Sequence, residues 1–238
     1  MTKATSATER RHSYAVVDGA EHALEITSGF VISGLKKSDQ VILVGLTDRR
    51  AGLLLARLRE DGTDPAGALR VGQLVIVDQV KTHALYAMQT NQVADELDRQ
   101  ATVAVRAGYA GIRFGGLLPG TTVSPHERTL NLLVLARPAT ALCLYHGQAP
   151  AEVLTQVHRL HDRRLPSTAV LDDGELRITT ISRHGLRLAG RIGPGNRFQT
   201  LAVLADAAGE RVAGTLTPRP CARSTRKACT HCSPVVSG

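Results

Sequence analysis

Five short apolar runs alternate with five amphipathic helical patterns along the first two thirds of the chain. That alternation restricts the fold more than any other feature. The runs are "SYAVV", "QVILVGL", "GQLVIVD", "YAGIRF" and "ATALCLYH". The helical patterns between and after them hold Phe30, "DRRAGLLLARLRED", the stretch from about Asn91 to Ala107, "SPHERTLNLLVLAR" and "APAEVLTQVHRLH". Strands that are apolar throughout are covered on both faces. Repeated strand–helix alternation means βαβ units. The expected fold is α/β, a mostly parallel sheet with helices on both faces.

In such a sheet, ligands bind beyond the carboxyl ends of the strands. Asp48 follows strand two, Asp78 follows strand three, Arg113 lies on strand four, and Tyr145 and His146 end strand five. His12 precedes strand one. These residues are expected to converge on one pocket, although Asp48 also suits a helix N-cap.

Several catalytic motifs are excluded. "GFVISGLKKS" holds two glycines five apart, but Leu35 follows Gly34 where a phosphate-cradling loop needs lysine. The stretch also ends a helical pattern and leads into a strand, the reverse of the required order. "HERTL" lacks the second histidine of a zinc-protease helix, and no G-x-S-x-G elbow occurs. His158 and His161 stand about one helical turn apart, without a third ligand at a fixed spacing. In "SPHE", Ser124, Pro125 and Glu127 fit a capping box, which would direct Glu127 to a backbone N–H.

The net charge of +8 suggests nucleic acid. Yet Arg211, Arg219, Arg223, Arg226 and Lys227 lie in an acid-free tail, and without them 24 of the 29 basic residues face 21 acidic ones. With aromatic residues at 3%, no basic groove with stacking platforms is expected. Cys221, Cys229, His231 and Cys232 offer zinc-type donors. Their surroundings of Pro, Ser, Thr and Arg suit a structureless tail instead. No apolar run is long enough to span a membrane, and "MTKATSATERRH" lacks the apolar core of a secretion signal. A cytoplasmic location is expected.

After "HDRRLPSTAVLDDG", with its Asp173-Gly174 turn, come "ELRITTI" and "LRLAGRI", expected to be antiparallel neighbours. Asn196 is placed to cap a helix across Arg197 to Ala208. From Arg211 onward no periodicity remains.

His12, "GFVISGLKKSDQVILV", "GQLVIVD", "GYAGIRFGG", "HERTLNLL" and "ALCLYHGQAPAEVLTQVHRLH", in this order, resemble the MEDS sensory domain family from about His12 to His161. The resemblance implies a sensor module related to RecA-like folds but without the phosphate loop, binding a small organic ligand. It also implies that His12, Glu127, Cys143, Tyr145 and His161 occupy the family's characteristic polar positions. Two acids are missing: Gly115-Gly116 stands where the family often has Gly-Glu, and His146 where it often has Asp. Their loss implies altered specificity or an inactive pocket.

"GELRITTISRHGLRLAGRIGPGNRFQTLAVLADAA" resembles the opening of a STAS domain, the fold of anti-sigma-factor antagonists. The pattern stops near Glu210, as a frameshift or natural truncation would make it. The expected organisation is a structureless start (1–11), a sensory domain (12–165), a partial STAS-like segment (166–210) and a basic tail (211–238). The expected role is non-enzymatic signal transduction, with no cofactor and no metal, and with an anti-sigma factor or kinase as partner. The alternatives are a nucleotide-binding RecA-like module, or an interaction protein with a degenerate pocket.

Overall fold

The computed structural model describes residues 11–117, 123–182 and 185–215. They fall into two compact units that divide between Thr168 and Ala169. In the first unit, β1 (His12–Val17), β2 (Gln40–Val44), β3 (Leu74–Ile76), β4 (Ile112–Leu117), β5 (Ala139–His146) and β6 (Arg163–Arg164) form one sheet. Its order is β3-β2-β4-β5-β1-β6. Every pairing is parallel. The connecting helices are α1 (Ala20–Lys36), α2 (Asp48–Glu60), α3 (Pro65–Arg70), α4 (Gln79–Ala87), α5 (Thr90–Arg106), α6 (Glu127–Ala136) and α7 (Ala151–Leu160). The expected α/β class is the observed one. The short α3 and α4 were not anticipated.

Register assigns the faces, because alternate strand residues point to opposite sides. Ala15, Val17, Val41, Leu43, Leu142 and Leu144 pack under α1 and α2, with Phe30, Val31, Leu54 and Leu58. On the other face, Ile42, Ile112, Phe114 and Ala141 pack against α5 and α6. Tyr14 pairs with Cys143, and Val16 with Tyr145. Tyr14, Cys143 and Tyr145 share that second face and pack with Val157 of α7.

"GFVISGLKKS" is the last half of α1 and its exit turn. A helix C-terminus presents carbonyl oxygens, the wrong polarity for phosphate. Gly34 has a packing role instead. A Cβ there would lie 2.6 Å from Val41 Cγ2 and 2.7 Å from Arg113 Cδ. Glycine lets α1 lie this close to the sheet.

Gly116 is more constrained, since a Cβ would lie 2.1 Å from the Val44 carbonyl oxygen of the neighbouring strand. Gly116→Ala is expected to cost roughly 1–3 kcal/mol by overpacking β2 against β4. The measurement is the urea midpoint at unchanged m-value. A wild-type midpoint would show that the two strands stand wider than here.

In the second unit, β7 (Ala169–Asp172), β8 (Leu176–Ser182) and β9 (Gly185–Gly190) form an antiparallel sheet in the order β7-β8-β9. β8 and β9 are the expected pair; β7 adds a third strand, which was not expected, from the stretch before the Asp173-Gly174 turn. The Asp173-Gly174 turn forms, with Gly174 at φ +86° and the Asp173 carboxylate accepting from the N–H groups of Glu175 and Leu176.

One expectation is refined here and one corrected. Asn196 takes the N-cap position of α8 (Arg197–Thr215), its backbone carbonyl accepting from Thr200 N–H at 2.8 Å, while its side chain turns to the loop before the helix. Its Oδ1 accepts from Gly193 N–H at 2.9 Å and its Nδ2 donates to the Arg191 carbonyl at 3.0 Å, so it fastens the "GPGN" loop. α8 also continues past Ala208 to Thr215, so the stretch from Arg211 read as structureless begins as helix. Cys221, Cys229, His231 and Cys232 lie outside the described residues. No helix among the described residues is long and apolar enough to cross a membrane.

Candidate functional site

Glu127, the first residue of α6, is the centre of a buried polar cluster. Its Oε1 accepts from the Tyr145 hydroxyl at 2.5 Å. Its Oε2 lies 3.1 Å from His12 Nε2, 3.3 Å from His161 Nε2 and 3.3 Å from Cys143 Sγ. His12 Nε2 is also 3.3 Å from Cys143 Sγ. β1 brings His12, β5 brings Cys143 and Tyr145, and His161 ends α7. The sequence reading of "SPHE" as a capping box is corrected. Ser124 Oγ accepts from His126 N–H at 3.2 Å, but Glu127 turns inward to the cluster.

Burial opposes ionisation of Glu127, but its contacts with His12, His161 and Tyr145 outweigh it. The carboxyl is held well below the usual carboxylate range. Burial, reinforced by the Glu127 charge, pushes the Cys143 thiol and the Tyr145 phenol above their usual ranges. A carboxylate is thus held beside a neutral thiol and a neutral phenol.

Sequence reasoning missed Asn131. It lies one turn after Glu127 on α6 and touches His12 Nδ1 through Oδ1 at 2.8 Å. Its Nδ2 donates to the Leu160 carbonyl at 2.7 Å. Spacing of four residues on one helix face was the available signal. His12 is further tied by its backbone N–H, which donates to Asp162 at 3.0 Å.

A cavity of about 360 Å³ opens beside the cluster on the same face of the sheet. Val44, Leu85, Leu97, Phe114 and Leu130 make it largely apolar, and Glu127 and Cys143 form part of its wall. Two polar side chains that line it have no hydrogen-bond partner among the described residues: the Tyr86 hydroxyl and both ring nitrogens of His126. Burial, with the nearby Glu127 carboxylate, pushes the Tyr86 phenol above its usual range. It therefore stays a neutral donor.

The expectation of one pocket along the carboxyl edge is corrected. Only His12 and Tyr145 of that set meet, and they do so under α6. Arg113 points to the opposite face, where its Nε donates to Asp39 at 2.6 Å and its guanidinium lies over Phe30. His146 is exposed at the end of β5. Asp48 is exposed in the first turn of α2, where Thr47 is the cap instead and accepts from Arg50 N–H at 3.3 Å. Asp78 is exposed and caps α4, accepting from Lys81 N–H at 2.8 Å.

Fold and cluster together define an α/β domain with a buried polar centre beside an apolar cavity. Residues 11–162 match the family model described as MEDS, the MEthanogen/methylotroph, DcmR Sensory domain, and the chain belongs to that family. Membership supports a sensory role. No curated protein matches the chain. Among solved structures it is similar to the flagellar accessory protein FlaH from Methanocaldococcus jannaschii, at 12% identity and a TM-score of 0.44, covering 76% of this chain and 88% of that one. It is also similar to the uncharacterized protein PH0321 from Pyrococcus horikoshii, solved in complex with an unknown peptide, at 15% identity and a TM-score of 0.47, covering 76% and 93%. These likenesses are of fold alone.

Proposed function

We propose that this chain is a signal-transduction protein that senses a small organic molecule in the cavity lined by Tyr86, His126, Glu127 and Cys143. One observation carries the reading. An apolar cavity holds a buried Tyr86 hydroxyl and a buried His126 ring with no hydrogen-bond partner among the described residues. Buried polar groups in native proteins are nearly always paired. Apolar walls with a few convergent polar groups are the usual build of a small-molecule site. The ligand class is a compact, mostly apolar molecule with one hydrogen-bonding end.

Binding would shift an equilibrium that a partner reads. In this reading the second unit, whose sequence resembles the opening of a STAS domain, is the output element, and an anti-sigma factor or kinase is its partner. The activity is binding without turnover, in the cytoplasm.

A thermal-shift panel of short alcohols, organic acids and haloalkanes tests the reading. A ligand at a hundred times its Kd adds about 2.7 kcal/mol to stability. Ala84→Phe, which narrows the cavity lining, is expected to abolish the shift, and Tyr86→Phe to weaken it for ligands with a polar end. A shift unchanged in both variants, or none with any of the three classes, would overturn the proposal.

A further inference from the structure

We infer that His12, Glu127, Cys143 and His161 form a binding site for a divalent transition metal of the zinc class. This departs from the sequence expectation of no metal and does not depend on the organic-ligand reading. One ligand atom from each of the four residues lies within 4.8 Å of the others, and all four residues are buried. Two nitrogens, one sulfur and one carboxylate oxygen make a donor set that zinc takes, the Cys143 thiol releasing its proton to solvent as the metal binds. Zinc with bonds of about 2.0–2.3 Å in a tetrahedron sets its ligand atoms roughly 3.3–3.8 Å apart. Four of the separations here are 3.1 Å (His12–Glu127) and 3.3 Å (His12–Cys143, His161–Glu127, Cys143–Glu127).

The surrounding hydrogen bonds choose the tautomers. His161 Nδ1 lies 2.7 Å from the Val157 carbonyl, which can only accept, so Nδ1 carries the proton. Asn131 Nδ2 donates to the Leu160 carbonyl, which turns Oδ1 towards His12 Nδ1 as an acceptor. In the neutral form of each ring the Nε2 lone pair faces Glu127, so the Glu127 carboxyl, held well below its usual range, calls for positive charge at that point, which either a proton or a metal cation supplies. His161 Nε2 makes no hydrogen bond among the described residues, although Oε2 is 3.3 Å away. Lone pairs converging with a carboxylate repel unless positive charge lies among them. A proton on one ring offsets part of that repulsion; a divalent cation offsets it for all four groups. Partners on the outer nitrogens are the support that metal-bound histidines regularly have. Tyr145 supplies the same support to the free oxygen of Glu127.

The test uses the full chain carrying Cys221→Ser, Cys229→Ser and Cys232→Ser, which removes the tail thiols. The metal-stripped protein is titrated with cobalt(II). The expected result is saturation at one equivalent, with tetrahedral d–d absorption and a thiolate-to-cobalt charge-transfer band. Cys143→Ser should remove that band. Asn131→Ala, which keeps all four ligands, should weaken binding by about 10–100-fold. Zinc should raise the melting temperature, since binding to the folded state alone stabilises it. Absence of one-equivalent binding, binding without a thiolate band, or a spectrum unchanged by Cys143→Ser would overturn the site. Failure of every organic ligand in the thermal-shift panel would leave the cobalt result standing.

Discussion

Glu127→Leu is expected to lower the stability of the metal-free protein by about 3–5 kcal/mol, the loss that follows removal of one partner from a buried charged network. The Tyr145 hydroxyl loses its acceptor, and His12 and His161 lose the anion they face. Tyr145 and His12 are each 0% exposed, so water cannot replace it. Every orphaned polar group costs about 1–3 kcal/mol. Leucine is close to glutamate in size, so the loss is polar in origin. Glu127→Gln keeps an oxygen for Tyr145 and should lose less. Urea unfolding in the presence of a chelator separates the two variants. A Glu127→Leu protein within about 1 kcal/mol of wild type would mean that the cluster contributes little beyond its packing.

The same glutamate shows where local sequence rules stop. "SPHE" satisfies a capping box on its own, and nothing within the four residues reveals that His12 and Tyr145 wait across the sheet. Long-range contacts decide, and a single local pattern carries no record of them. The strands were legible because burial on both faces demands unbroken apolar runs, as in "QVILV" and "ALCLY". α3 was not, since six residues give less than two turns of periodicity. α4, with a buried Thr82 between exposed neighbours, gives no clear apolar stripe.

The candidate residues divide along a physical line. His12, Glu127, Cys143, Tyr145 and His161, all assigned by family resemblance and two of them, His12 and Tyr145, also by strand position, lie in one cluster, because such a likeness records tertiary neighbours. Asp48, Asp78, Arg113 and His146, assigned by position at strand ends, do not join it. Position along a strand says nothing of the face, and Arg113 is one residue out of phase with Phe114, which packs on the cluster's side. Asp78 and Thr47 show the commoner use of polar residues at such ends, satisfying the N–H groups of the next helix.

Asp39→Leu is expected to cost about 3–5 kcal/mol, and adding Arg113→Leu to recover most of that loss. The Arg113 side chain is 9% exposed and that of Asp39 13%. Removing Asp39 alone strands a guanidinium beneath α1, pressed against the glycine gap at Gly34 and 5.4 Å from the centre of the Phe30 ring. Removing both charges leaves a face that leucines can fill beside Phe30 and Leu43, since a buried ion pair and a well-packed apolar pair are often close in free energy. The double-mutant cycle reads the coupling directly. Because Arg113 lies on the face away from the cavity, any ligand-induced or zinc-induced rise in melting temperature should persist in the double variant. Loss of that rise with the fold intact would return Arg113 to the binding site. A coupling near zero would remove the ion pair from the account of how α1 is held to the sheet.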